Sequence, residues 1–131
     1  MTKDLEKRIY KGFISHAIAT VEHDGFRAPV AFVATEGGSF TGVVTAKIVW
    51  SGLHIQHLYV EEYMRGKGLG SKLMDRVHTF GREQGCTFAF VETLSFQALE
   101  FYQKLGYQIE FTRDGYSNGV SFHYLQKKLS E

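Results

Sequence analysis

The sequence predicts an α/β protein in which a mixed, mostly antiparallel sheet carries helices on its faces. Residues 30–60 contain three apolar runs separated by short turn signals, which is typical of an antiparallel meander. Residues 70–84 then show apolar side chains at helical spacing. Residues 88–91 are apolar at every position, which indicates a strand that runs parallel to its neighbour after a helical crossover.

The first elements are a helix and the three-stranded meander. An apolar stripe at helical spacing predicts a helix over residues 4–20, and a loop that carries Asp24-Gly25 follows it. The meander strands and their turns lie at residues 30–36, Gly37-Gly38, 40–50, Ser51-Gly52 and 53–60.

The second half alternates helices and strands. Gly85 follows the helix of residues 70–84, where a C-terminal cap residue is expected. The remaining elements are a helix over residues 97–105 and strands over residues 107–113 and 120–128. The predicted order is α-β-β-β-α-β-α-β-β in a single domain over residues 1–131, a length that can bury its own core.

Composition excludes little about function and favours a soluble cytoplasmic protein. Fifteen basic and fourteen acidic residues, with no run of like charges, give no indication of a nucleic-acid or membrane partner. The sequence contains no apolar stretch of transmembrane length, and its only cysteine cannot form an internal disulfide. We expect this residue, Cys86, to be a small buried hydrophobe rather than a nucleophile.

The third meander strand contains one break in its alternation. Leu53 and Ile55 would lie on one face of a regular strand, whereas Leu58 and Val60 would lie on the other, so the two pairs are out of phase by one residue. An extra residue around Gln56-His57 would return all four apolar side chains to one face. The pattern therefore predicts a β-bulge, which would leave backbone N–H and C=O groups unpaired.

An anion-binding loop follows the bulged strand, in the segment Arg65-Gly66-Lys67-Gly68-Leu69-Gly70. Glycines let the backbone approach an anion closely, and the helix that begins here adds unpaired N–H groups and its positive dipole end. The spacing excludes a Walker A loop, which needs Lys before Ser or Thr, and the dinucleotide fingerprint Gly-x-Gly-x-x-Gly.

These features together resemble the GCN5-related N-acetyltransferase (GNAT) superfamily, whose hallmark is Gln/Arg-x-x-Gly-x-Gly/Ala after a bulged strand. Arg65, Gly68 and Gly70 stand at the three motif positions. Residues 95–107 are similar to the family's Ala-x-x-Phe-Tyr-x-Lys-x-Gly-Phe segment. The resemblance covers residues 30–129 and implies a GNAT-like fold in which the bulged strand and the next strand splay apart.

The resemblance implies that the chain binds acetyl-CoA. Backbone groups of Leu58 and Val60, with Tyr59 between them, would pair with the amides of the pantetheine arm and hold the acetyl carbonyl in the gap between the splayed strands. A further contact is expected at Ser95, where the family usually has Asn. The residues expected to hold the pyrophosphate are Arg65, Gly66, Lys67, Gly68, Leu69, Gly70 and Ser71.

Acetyl transfer to an amine needs a base for the amine proton and an acid for the leaving thiolate. Tyr102 occupies the Phe-Tyr position of the family, which implies that it is the acid. Candidates for the base are His54 on the bulged strand, Glu92 near the end of the apolar strand, His57 at the bulge, or a chain of waters. No Cys, Asp or Glu completes a ligand spacing around the histidines, so we predict no metal site.

The sequence thus predicts an N-acetyltransferase that moves the acetyl group of acetyl-CoA directly to a primary amine of a small molecule or peptide. The alternatives are a non-catalytic acyl-CoA-binding or sensing module and a general nucleotide-phosphate-binding domain. Aromatic residues and edge strands in the C-terminal hairpin, residues 107–128, further predict a homodimer through these strands.

Overall fold

The computed structural model describes residues 2–21 and 28–130, so the predicted Asp24-Gly25 loop lies outside the described residues. Its main elements are α1 (Lys3–Val21), β1 (Val30–Glu36), β2 (Ser39–Val49), β3 (Gly52–Val60), α2 (Leu69–Glu83), β4 (Phe88–Leu94), α3 (Leu99–Lys104), β5 (Gln108–Arg113) and β6 (Phe122–Lys128). Short 3-10 turns occur at Glu62–Met64 and Ser117–Gly119. The predicted order of helices and strands is confirmed.

The six strands form one mixed sheet in the order β1-β2-β3-β4-β6-β5. β3 and β4 are parallel and are connected by α2, as the apolar run at residues 88–91 predicted. The other neighbouring pairs are antiparallel, which confirms the predicted fold class.

One face of the sheet packs against α2 and forms the core. Buried side chains on this face include Val44 and Ala46 of β2, Leu53 and Ile55 of β3, and Ala89 of β4. The opposite face, which carries His54, Phe90, Glu92 and Tyr124, is called here the distal face. Side chains alternate along a strand, so residues next to a core position in β4 point to the distal face.

The predicted bulge is present in β3. Thr45 pairs with His57 and Ala46 pairs with Ile55, which leaves Gln56 as the extra residue. The insertion places Leu58 and Val60 against the same core as Leu53 and Ile55. The change of phase read in the sequence is therefore a real change of register.

β3 and β4 pair over three positions only, from Gly52 with Phe88 to His54 with Phe90. Beyond His54 the bulge follows and the two strands separate, because a bulge bends its strand and interrupts the ladder. The splayed pair implied by the family resemblance is therefore part of the fold.

α1 forms where the apolar stripe predicted a helix, and part of that stripe is exposed. Ile9, Tyr10 and Phe13 keep 44%, 45% and 65% of their surface exposed. The described residues therefore leave these three side chains largely exposed. Within the described ranges, no helix has the length and apolar character needed to cross a membrane.

Candidate active site

A cavity of about 410 Å³ occupies the gap between β3 and β4 and is called here the gap. One wall is formed by residues 55–59 of the bulged strand, and the opposite wall by residues 91–93 of β4. The third side is closed by Gln97 and Ala98, which precede α3, and by Tyr102 on that helix.

Backbone groups of the bulged strand face the gap. The N–H of Glu61 donates to the carbonyl of Thr41 at 2.9 Å, so residue 61 points its backbone toward β2. The backbone N–H and C=O groups of successive residues in a strand point alternately to its two neighbours. Those of Leu58 and Val60 are therefore directed away from β2 and toward the gap. Arg65 Nε donates to the Val60 carbonyl at 3.0 Å, so the Val60 N–H and both groups of Leu58 remain for an extended amide chain.

The three glycines of the loop serve two different purposes. Gly66 and Gly68 have φ values of 76° and 83°, a conformation that side chains with a Cβ rarely adopt. A Cβ at Gly70 would lie 3.3 Å from the ring of Phe101, so this glycine allows α2 and α3 to approach closely. The first two shape the loop, and the third packs the helix that begins there.

The N-terminus of α2 offers several hydrogen-bond donors. Gly68 is the N-cap residue, and no side chain caps the helix. Lys72 N–H donates to the Gly68 carbonyl at 3.1 Å, so the N–H groups of Leu69, Gly70 and Ser71 precede the helix's own hydrogen bonds. These donors and the positive dipole end suit a phosphate group.

Tyr102 presents a protonated hydroxyl to the gap. Its ring is held at 5.2 Å from Phe101 and 5.6 Å from Tyr107, both edge to face, and only 7% of the residue is exposed. Within the described residues, the hydroxyl forms no hydrogen bond. Burial raises the pKa of the Tyr102 phenol, so the group is protonated at neutral pH, as a proton donor must be.

A buried hydrogen-bonded pair, His78 and Tyr107, lies next to Tyr102. His78 Nε2 and the Tyr107 hydroxyl share a hydrogen bond of 2.6 Å, and both residues are buried. Burial, with smaller contributions from Lys127 and Arg82, lowers the pKa of His78 to about 4. Burial also raises the pKa of Tyr107, so the pair is neutral at pH 7 and needs no counter-ion.

His54 and Glu92 form a pair between β3 and β4, and Glu92 lines the gap. His54 Nε2 lies 2.7 Å from Glu92 Oε2, and the imidazole stacks on Phe90 with ring centroids 4.5 Å apart. Val91 and Thr93 are buried, so Glu92 between them points to the distal face. Tyr102 packs on the core side, which places acid–base groups on both faces of the sheet beside one gap.

Two predicted residues have other hydrogen-bond partners. His57 Nδ1 lies 2.8 Å from Thr45 Oγ1, which ties the imidazole to β2. Ser95 Oγ accepts from the Ser121 N–H at 3.1 Å, and the Ser95 N–H donates to the Ser121 carbonyl at 2.8 Å. Ser95 therefore joins the end of β4 to the start of β6, and it is not among the described residues that line the gap.

Gln97 and Ala98 line the gap near that position and were missed by the sequence analysis. The Leu94 N–H donates to Gln97 Oε1 at 3.0 Å, which holds this residue where β4 ends. The only available signal was their place at the start of the helix predicted over residues 97–105, which begins at Leu99 in the structure. No group of three metal-binding side chains occurs among the described residues.

Comparison with known proteins identifies a family for this chain. Residues 2–107 match the model of the acetyltransferase (GNAT) family. A blasticidin-S acetyltransferase from Streptomyces morookaense is 37% identical over 99 residues, which are 75% of this chain and 73% of that protein.

Solved structures also resemble the chain. An acetyltransferase from Bacillus cereus ATCC 14579 is 28% identical with a TM-score of 0.86, over 98% of this chain and 94% of that one. A protein from Bacillus anthracis str. Ames solved with acetyl coenzyme A has a TM-score of 0.72 over 78% of this chain and 63% of its own. At 18% identity, the second likeness concerns the fold alone.

Proposed function

The chain belongs to the acetyltransferase (GNAT) family and is an acyl-CoA-dependent acetyltransferase, and from this premise we propose that it acetylates a primary amine of a small molecule or peptide. One observation carries the proposal: the His54–Glu92 pair and the Tyr102 hydroxyl flank the same gap from opposite faces of the sheet. An amine that enters from the distal face would meet the pair first.

The proposed acetyl-CoA site runs along β3 and ends at the glycine loop. Leu58 and Val60 would hold the amide chain through their backbone groups, and the N–H groups at the start of α2 would hold the pyrophosphate. Support comes from positive φ at Gly66 and Gly68, which keeps side chains away from an approaching anion. The proposed site is further supported by the Bacillus anthracis protein of similar fold, which was solved with acetyl coenzyme A.

Bound acetyl-CoA supplies an activated acetyl group, and the residues of this chain manage two protons. The His54–Glu92 pair takes a proton from the ammonium form of the amine, which frees the nitrogen lone pair for direct attack on the thioester carbonyl. Tyr102 donates its proton to the sulfur as the carbon–sulfur bond breaks, and the second proton that the nitrogen loses in becoming an amide restores the neutral tyrosine. Among the described residues no cysteine lines the gap, and Cys86 is buried, which favours direct transfer over an acyl-enzyme.

This arrangement weighs against the binding-only alternative. A module that only binds or senses acyl-CoA has no need of a carboxylate–imidazole pair opposite an unbonded tyrosine hydroxyl. The experiment that tests the proposal is a panel of primary amines assayed by release of the CoA thiol, with an amine-free control for self-acetylation. The similarity to a blasticidin-S acetyltransferase makes blasticidin S one member of that panel.

We propose further that the protein acts in the cytoplasm as a homodimer. A single buried cysteine suits a reducing compartment. β5 is an edge strand of the sheet, and Phe111 on it keeps 52% of its surface exposed. Pairing of two β5 edges would cover this aromatic surface.

A further inference from the structure

A second cavity, of about 480 Å³, lies on the distal face and is called here the aromatic cavity. It is bounded by the β2–β3 turn, β4, β5 and β6, and four aromatic side chains line it: Trp50, Phe88, Phe90 and Tyr124. Glu92 lines both this cavity and the gap, so the two spaces meet at the proposed amine site.

The charge of the aromatic cavity is negative. Among the described residues that line it are two carboxylates, Glu92 and Glu110, and no lysine or arginine. Lys128 pairs with Phe88 across the sheet but lines a different cavity. Aromatic faces and carboxylates both attract cations, so this lining favours a positively charged ligand group.

Glu110 reaches the cavity because β5 is bulged. Ile109 pairs with Leu125 and Phe111 pairs with Tyr124, which leaves Glu110 as the extra residue. Bulges re-aim side chains and are frequent next to active sites. Within the part of the chain that is described, the Glu110 carboxylate forms no hydrogen bond or ion pair. Its charge is therefore available to a ligand.

Two backbone features at the β2–β3 turn position the aromatic side chains that line the cavity. A Cβ at Gly52 would lie 2.7 Å from the ring of Phe88 and 3.1 Å from that of Phe90, so only glycine leaves room for both rings. Trp50 has φ of 55°, an outlier for so bulky a residue in a turn that usually takes Gly, Asn or Asp. Such local strain clusters at ligand-binding sites.

We propose that the aromatic cavity binds a second cationic group of the acceptor, so that the preferred substrates are diamines or amino-guanidines. This inference rests on the proposed function, because Glu92 is where the reacting amine would lie. β6 separates β4 from β5, so Glu92 and Glu110 stand two strand spacings apart, about 10 Å. A short alkyl chain between two cations spans that distance, and a guanidinium would also stack on the rings.

The test compares two amines that differ only in charge. Agmatine carries a primary amine and a guanidinium on a butyl chain, and N-(4-aminobutyl)urea replaces the guanidinium with a neutral group of the same shape. We expect kcat/KM for agmatine to be about tenfold higher, and Glu110→Gln to reduce this ratio about fivefold by raising KM for agmatine. The matched control is Glu83→Gln, which should leave the ratio unchanged. Glu83 is an exposed carboxylate on α2, which packs on the face of the sheet opposite the distal face.

Calorimetric titration of agmatine in the presence of CoA separates the cation site from the chemistry. Agmatine that binds in a Glu110-dependent way without being acetylated would support the cation site and contradict the proposed function for this acceptor. Equal turnover of the two amines would overturn the inference while the proposed function stands. Failure of agmatine to bind the unmodified protein, or full preference retained in Glu110→Gln, would overturn it as well.

Discussion

His54 and Glu92 connect β3 to β4 at the last position where these strands pair, with Nε2 and Oε2 2.7 Å apart. A carboxylate that accepts from Nε2–H holds the imidazole in one tautomer and leaves Nδ1 as a proton acceptor. The stacked ring of Phe90 further fixes the plane of the imidazole. The two side chains are thus arranged to act on a proton as one unit.

Glu92→Gln tests that unit, since it keeps the size of the side chain and removes its charge. We expect kcat with the best amine acceptor to fall about 10²-fold, while affinity for acetyl-CoA hardly changes. His54→Gln should give a loss of similar size, and the double variant little more than either single one, as for groups that act together. Full turnover in both single variants would exclude the pair as the base.

Tyr102→Phe removes one oxygen from a ring that is already packed on both sides. If Tyr102 is the acid, turnover should fall about 10²-fold with melting temperature and acetyl-CoA affinity nearly unchanged. Tyr107→Phe is the matched control, because its hydroxyl is bonded to His78. That variant should lose about 1 kcal/mol or more of stability and keep its turnover. The reverse pattern would assign Tyr102 a structural role.

Gly68→Val places a side chain on the loop proposed to hold the pyrophosphate. We expect affinity for acetyl-CoA to weaken about tenfold or more, a loss of about 1.4 kcal/mol measured by calorimetry. Gly38→Val is a control for backbone strain. Gly38 and Gly68 have nearly equal φ values, 84° and 83°, and a Cβ at either position would meet open space. Both variants should lose stability, but only Gly68→Val should lose affinity. Unchanged affinity would contradict the proposed role of the loop.

His78 should make stability depend on pH. Its pKa falls from 6.5 to about 4 on folding, so between these values the unfolded chain binds a proton that the folded protein does not. The stabilisation is complete above about pH 6.5 and is lost as pH falls toward 4, by about 3 kcal/mol in all. Urea unfolding across this range should show a smaller loss in His78→Gln. An equally steep loss in that variant would contradict the assignment, and His123→Gln is the control.

The proposed homodimer predicts that Phe111→Glu shifts the protein to the monomer. A charged residue on the edge strand would repel its symmetry mate and interrupt strand pairing. Sedimentation of the unmodified chain at high micromolar concentration gives the reference state. If the unmodified chain sediments as a monomer, the proposed homodimer is wrong.

The sequence by itself determined the order of the elements, because periodicity is a local property of the chain. The broken alternation placed the bulge around Gln56-His57, since a single insertion moves every later side chain to the other face, and the strand register identifies Gln56 as the extra residue. The glycine spacing after β3 likewise predicted the loop, and its positive φ values agree with it. The family followed from these local patterns.

Only the tertiary structure decided which distant residues meet. His54 and Glu92 are 38 positions apart, and their pairing depends on the parallel register of β3 and β4, which no local pattern encodes. Ser95 is held by Ser121, and Glu110 reaches the aromatic cavity through a bulge that the sequence analysis did not detect. The apolar residues of each strand determine which of its faces is buried, and they can be read from the strand alone. Register and side-chain partners depend instead on how all the strands pack together.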